Sequence, residues 1–202
     1  MKADSAMSNQ KPVAGIILAA GCGSRMGTTK QLLPLGNTTI LGRVIAIAKA
    51  SMLDDIVLVL GFAAGSIRAA LDLDGIRVVE NPDWEKGQSF SLAAGLSTLS
   101  GHTAGALFLL GDQPLVSVHT INQLVSAFQA TDHWILVPRF KGKRGNPVLV
   151  ANPLFFHLTC PAGDAGARIL FQEYKTRTQS VAVADAGILK DVDTPADYRD
   201  LF

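Results

Sequence analysis

Cysteine is nearly absent from this chain. Cys22 and Cys160 stand far apart without CxxC spacing, which excludes a disulfide framework and a structural zinc site. His102, His119, His133 and His157 form no HxH or HExxH pattern, which favours surface or helix-end roles over metal ligation. Charge of one sign is also lacking: 18 Lys and Arg against 17 Asp and Glu leave a net +1. No basic stripe is available to neutralise a phosphate backbone, which argues against a nucleic-acid partner. Apolar runs fall well short of the ~20 residues a membrane span needs. Met1–Gln10 carries no hydrophobic signal-peptide segment. Aromatics are scarce at 6%, and Trp84 and Trp134 read as core or rim packing. A cytoplasmic location with reduced thiols is expected, with Cys22 placed in a loop whose local dipoles can activate it.

What remains is apolar and regular. A chain of 202 residues, 48% hydrophobic and 17% charged, suits one domain that buries perhaps ~70% of its unfolded surface. Residues 13–202 are expected to form it, with 1–12 as a disordered tail. Apolar strands (Val13–Ala20, Ile56–Leu60, Ile76–Glu80, Ala106–Leu110, Trp134–Val137, Pro147–Val150, Ser180–Val183) alternate with helical stretches. The helices are expected over 38–51, capped by Thr38 or Thr39 with Leu41, Val44, Ile45 and Ala48 on the inner stripe, over 63–71, 88–99, 118–130 and 163–174, and from Thr194-Pro195 onward. Arg139–Gly145 reads as a basic, glycine-punctuated excursion, and Asn152-Pro153 as an N-cap followed by proline at the first helical position. This is the α/β pattern.

The informative stretch is Leu18-Ala19-Ala20-Gly21-Cys22-Gly23-Ser24-Arg25-Met26-Gly27-Thr28-Thr29-Lys30. An apolar strand without alternation, as in a doubly buried strand, breaks into three glycines that leave backbone N–H groups open to an anion. Arg25 and Lys30 add fixed cations, which together make a cradle for a nucleoside triphosphate. The P-loop fails on spacing, because Gly27 is followed by Thr-Thr-Lys. The dinucleotide fingerprint also fails. Its glycine spacing differs, and the strand Ile56–Leu60 ends in Gly61-Phe62 without a ribose-binding carboxylate. A nicotinamide-dependent oxidoreductase is disfavoured on that ground.

Carboxylates supply the second half of the pattern. Asp112 follows five apolar residues, so it should emerge at the carboxyl edge of the sheet. There a carboxylate suits Mg²⁺, though a turn-forming aspartate before Pro114 has the same sequence. Asp191 and Asp193 precede Thr194-Pro195 and serve either a metal or a helix cap. Asp197 in the first turn suits capping alone. Lys141, Lys143 and Arg144 read as a solvated turn or, with Arg139, as an anion site.

Gly111-Asp112-Gln113-Pro114, Arg144-Gly145-Asn146-Pro147-Val148, Gly163-Asp164-Ala165-Gly166-Ala167-Arg168 and Asp191-Val192-Asp193-Thr194-Pro195 follow the first loop in this order. Together they resemble the molybdenum cofactor cytidylyltransferases and their close relatives, from about Val13 to the C-terminus. The resemblance implies a three-layer α/β/α sandwich with a mostly parallel, Rossmann-like sheet of the nucleotide-diphospho-sugar transferase type. It implies that Leu18, Ala19, Ala20, Gly21, Gly23, Arg25, Lys30, Gln88, Ser89 and Asp112 hold the nucleotide. Arg25, Lys30 and Asp112 would carry catalysis, with Mg²⁺ on Asp112 and Asp193. Arg144, Asn146 and Arg168 would hold the acceptor. Asn146 departs from the histidine many relatives carry. The implied reaction is CMP transfer from CTP to a molybdopterin-type acceptor, with a molybdenum hydroxylase as recipient. Leu18-Ala19-Ala20-Gly21 rather than Leu-Ala-Gly-Gly favours cytosine over guanine. Guanylyl transfer, and a non-catalytic carrier of the cofactor, are the competing readings.

Overall fold

The structure, a computed structural model, describes residues 11–23, 26–159 and 171–202. Val13–Ala19 (β1) is the centre of the sheet. It pairs in parallel with Asp55–Leu60 (β4) on one side and Gly105–Leu110 (β6) on the other. Arg77–Glu80 (β5) extends the sheet beyond β4. Beyond β6 come Val148–Ala151 (β9), Ile135–Phe140 (β7) and Thr178–Ala182 (β10). The order is β10-β7-β9-β6-β1-β4-β5, with the short β8 (Lys143–Arg144) on β7. Pro34–Leu35 (β2) and Thr38–Thr39 (β3) form a separate two-stranded ribbon.

The interior strands lack alternation because helices cover both faces. On one face lie α1 (Ile40–Lys49), α2 (Ala64–Ala70) and α4 (Val118–Gln129). On the other lie α3 (Gln88–Leu96) and α5 (Phe155–Thr159). A short α6 (Pro195–Arg199) closes the chain. The expected inner stripe of α1, Leu41, Val44, Ile45 and Ala48, is buried, and Thr39 caps the helix by accepting from Gly42 N–H at 3.0 Å.

Three local expectations are corrected. The Arg139–Gly145 excursion is a β-hairpin, with Arg139 opposite Arg144 and a turn of two positive-φ residues, Lys141 (47°) and Gly142 (79°). Asn152 does not cap a helix. Ala151 precedes the 3₁₀ turn Asn152–Leu154 without a side-chain cap, and Asn152 N–H donates to Ala104 O. Lys11 and Pro12, expected in the tail, are tied to the body: Lys11 Nζ donates to Thr131 O at 2.6 Å and Pro12 O accepts from Ala104 N–H at 2.8 Å. The expected helix over 163–174 lies largely outside the described residues.

The antiparallel direction of β9 follows from chain length. Only residues 141–147 separate β7 from β9, too few for the crossover a parallel return requires. The reversal carries Arg144 and Asn146 to the edge of the sheet where β1 and β6 end. The turn Ala186–Leu189 then packs so closely on this segment that a Cβ on Gly145 would lie 2.2 Å from Ile188 O.

Asp185 ties that turn to α4. Its Oδ2 accepts from Ser117 N–H at 2.8 Å and the Thr120 hydroxyl at 2.7 Å, and its Oδ1 from Gly187 N–H at 2.8 Å. Burial pushes the carboxyl up, but the donors from Ser117, Thr120 and Gly187 outweigh it and hold Asp185 below the usual carboxylate range. The stabilisation is therefore complete above the unfolded value near ~3.9 and is lost as pH falls through the lower folded value. Asp185→Ala should lower the urea unfolding free energy by about 1–3 kcal/mol at neutral pH. The deficit against the natural chain should shrink towards about pH 2. An equal deficit at both pH values would contradict this role.

Candidate functional site

The loops after β1 and β6 meet the C-terminal segment at the carboxyl ends of the parallel strands, where open α/β sheets bind ligands. At their junction stands Lys30, 8% exposed. Its ammonium donates to Asp112 Oδ2 at 2.6 Å and to Asp193 Oδ1 at 2.8 Å. The lysine stem runs under Gly23, whose φ of +57° belongs to the left-handed region, and a Cβ there would press on Lys30 Cγ and Cδ at 3.2 Å. Burial works to lower the Lys30 pKa, but the two carboxylates outweigh it and hold the ammonium above its ordinary value. Burial also pushes the Asp112 carboxyl up against the pull of Lys30, and the charges of Asp191 and Asp193 add to that rise. Asp112 Oδ1 is buried without a hydrogen-bond partner.

Capping falls to Thr194 rather than Asp193. The Thr194 hydroxyl accepts from Asp197 N–H at 3.2 Å, and Asp197 Oδ2 accepts from Thr194 N–H at 2.7 Å and Asp193 N–H at 3.1 Å. The Asp193 carboxylate is thereby turned towards Lys30. Val192 N–H donates to Asp112 O at 3.0 Å, and Gln113 Nε2 donates to Asp191 Oδ1, so the two acidic loops are latched together.

A cleft of about 280 Å³ opens beside this cluster. Leu18, Ala19, Ala20, Gly21, Gly23, Lys30, Gln88 and Asp112 line it. Ser89 does not: its hydroxyl is buried without a partner, and Ser91 lines the cleft in its place. Gly87, with φ +117°, leaves the N-terminus of α3 without a side-chain cap at the cleft wall. A second cavity of about 140 Å³ adjoins it and shares Leu18, Gln88 and Leu110. Its walls are mostly apolar, and Arg144 and Asn146 are among the few polar groups on it. The Arg144 guanidinium lies 3.4 Å from the centre of the Phe171 ring. Burial, and after it the charge of Arg139, lowers the Arg144 pKa. Arg25 and Arg168 lie outside the described residues.

Sequence reasoning assigned no role to two buried glutamines of the site. Gln31 Nε2 donates to Gly21 O at 2.8 Å and holds the first loop, while Gln113 makes the latch. Gln113 stood within a recognised motif, whereas Gln31 carried no signal beyond its place after Lys30.

A family model for the MobA-like NTP transferase domain matches residues 15–179. The chain belongs to this family. Among curated MobA-like relatives, a purine catabolism protein of Bacillus subtilis, PucB, is 32% identical over 91% of this chain and 93% of its own. A nicotine blue oxidoreductase of Paenarthrobacter nicotinovorans is 30% identical over 90% and 92%. A molybdenum cofactor cytidylyltransferase of Escherichia coli is 27% identical over 91% and 92%. Among solved structures, Rv0371c of Mycobacterium tuberculosis superposes with a TM-score of 0.85 at 37% identity, covering 95% of this chain and 97% of its own. A manganese complex of that protein gives 0.81 at 35% identity, covering 94% and 97%. No helix among the described residues is long and apolar enough to cross a membrane.

The ammonium of Lys30 occupies the point where the carboxylates of Asp112 and Asp193 converge. Lys30→Met should lower stability by on the order of 3 kcal/mol, because it removes the shared ammonium from a partly buried pair of carboxylates. Mg²⁺ or Mn²⁺ should then raise the melting temperature of Lys30→Met more than that of the natural chain, since no ammonium competes for the oxygens. Scanning fluorimetry with and without each ion measures both effects. Equal ion-induced shifts in the two proteins would contradict a shared cation site.

Proposed function

We propose that this MobA-like protein transfers CMP from CTP to a molybdopterin-type molybdenum cofactor and releases pyrophosphate. The observation carrying the reading is the Lys30 ammonium between Asp112 and Asp193, at one end of a cleft that shares a wall with a second, Arg144-bearing cavity. Two adjoining cavities, the first lined by Lys30 and Asp112 of the charged cluster, suit two substrates that exchange a phosphoryl-linked group. The molybdenum cofactor cytidylyltransferase among the relatives supports the acceptor, and Leu18-Ala19-Ala20-Gly21 supports cytosine.

In this reading a phosphate oxygen of the acceptor forms a bond to the α-phosphorus of CTP. The bond from that phosphorus to the oxygen bridging to the β-phosphate breaks, and pyrophosphate carries the electron pair away. The acceptor phosphate is already ionised, so no residue has to take a proton. Lys30 and Arg25 neutralise triphosphate oxygens, and the cleft aligns attacking and leaving oxygens in line. Asp112 and Asp193 would hold Mg²⁺, for which the unpartnered buried Asp112 Oδ1 and the converging Asp193 carboxylate supply oxygen donors. When bound, the ion supplies charge neutralisation at the phosphates. Arg144 and Asn146 orient the acceptor, and a molybdenum hydroxylase would receive the product.

The name of the Paenarthrobacter relative favours a redox reading instead. Against it, β4 ends in Gly61-Phe62 with no carboxylate for a ribose. The decisive assay offers equal CTP and GTP with molybdenum-loaded molybdopterin and Mg²⁺, followed by mass analysis of the pterin product. A cytosine dinucleotide is expected. A guanylated product would overturn the base assignment, and the absence of any dinucleotide would favour a cofactor carrier. Asp112→Asn should keep its fold by circular dichroism and lose on the order of 10²–10³ in rate at saturating CTP. Near-natural turnover would sink the assignment of Asp112.

A further inference from the structure

Trp84 reads as core or rim packing in the sequence, yet it lies on the wall of the first cleft. It opens the 3₁₀ turn Trp84–Lys86 that leads into α3. The root of its indole is fixed by Gly61 at the end of β4. A Cβ on Gly61 would stand 2.6 Å from Trp84 Cβ and 2.9 Å from Ala20 O, so only glycine lets the tryptophan approach the first loop this closely. Phe62 braces the ring in an edge-on contact, with centroids 5.6 Å apart and planes at 64°. The indole N–H makes no hydrogen bond to any described residue.

The strand order sets where along the cleft this ring sits. Asp112 follows β6 and Gly61 follows β4, and β1 with its glycine loop lies between them. The two ends of the cleft are therefore about two strand spacings apart, roughly 10 Å. Lys30, Asp112 and Asp193 make one end charged, which suits phosphates. The other end carries an anchored aromatic ring and the uncapped start of α3 at Gly87. A nucleoside triphosphate is anionic at one end and has a flat ring at the other.

We propose that Trp84 is the wall against which the nucleoside of the bound triphosphate packs, and that it contributes affinity without choosing the base. The proposal rests on the nucleotidyltransfer reading and specifies its nucleoside subsite. Stacking is tolerant of sequence because every base presents a π face, so CTP and GTP should lose affinity together when the ring is removed.

The chain has only two tryptophans, and Trp134 lies by Tyr174 and Arg177 at the far edge of the sheet. In a Trp134→Phe variant, Trp84 is thus a lone fluorescent reporter. Titration with Mg²⁺–CTP should quench its emission saturably, with the same dissociation constant that calorimetry gives. Trp84→Leu should weaken CTP and GTP alike by on the order of 10- to 100-fold, with melting temperature and circular dichroism unchanged. Trp84→Phe should recover most of the affinity. Calorimetric binding of CTP without a fluorescence response, or natural affinity in Trp84→Leu, would overturn this inference alone. Failure of CTP, GTP and ATP to bind the natural protein would overturn it together with the nucleotidyltransfer reading. A loss confined to CTP would show that Trp84 reads the base and would overturn the claim of tolerance.

Discussion

Everything at the carboxyl edge of this sheet depends on one buried ammonium. Lys30 joins Asp112 and Asp193, which lie 82 and 163 positions away in the chain. A charge taken out of water is tolerated only when paired and hydrogen-bonded. The first loop, the β6 turn and the C-terminal segment must therefore converge for any of the three groups to be buried. Gln31 and Gln113 extend the same requirement to the backbone by fastening the first loop and the acidic loop. At this edge charge pairing adds to the apolar contacts that hold the tertiary structure.

Burial raises the Asp112 pKa, the Lys30 ammonium pulls it back, and the charges of Asp191 and Asp193 add to the rise. Pairing the lysine with Asp112 and Asp193 keeps those charges from destabilising the fold.

The fold was largely legible because buried strands and amphipathic helices follow from apolar patterning. Thr39 as a cap and Leu41, Val44, Ile45 and Ala48 as a stripe needed only local chemistry. The hairpin was hidden because Lys141 adopts a positive φ that its residue type seldom takes, and because charge masks alternation in Lys141–Arg144. In the site, Leu18, Ala19, Ala20, Gly21, Gly23, Lys30, Gln88 and Asp112 were readable from spacing and resemblance, and all of them line one cleft. Ser89 is not among the residues lining this cleft, whereas Ser91, two residues further along α3, is. The ion pairs of Lys30 were not legible, since a lysine near phosphate-binding glycines gives no sign of which carboxylates share it.

The charged cluster and the adjoining second cavity are built from different materials. The charged junction requires fixed partners at short distances, so few substitutions leave it intact. The second cavity is walled by Phe108, Ile135, Val148 and Val150, whose side chains also belong to the core. Apolar walls of this kind tolerate changes of shape at modest cost when volume is kept. Asn146 lies on this cavity while its backbone N–H donates to Ile188 O at 3.0 Å, which fixes the main chain at that wall. The apolar cavity and the charged cluster are thus built from separate sets of side chains, so a change of shape in one leaves the charge pairing of the other in place.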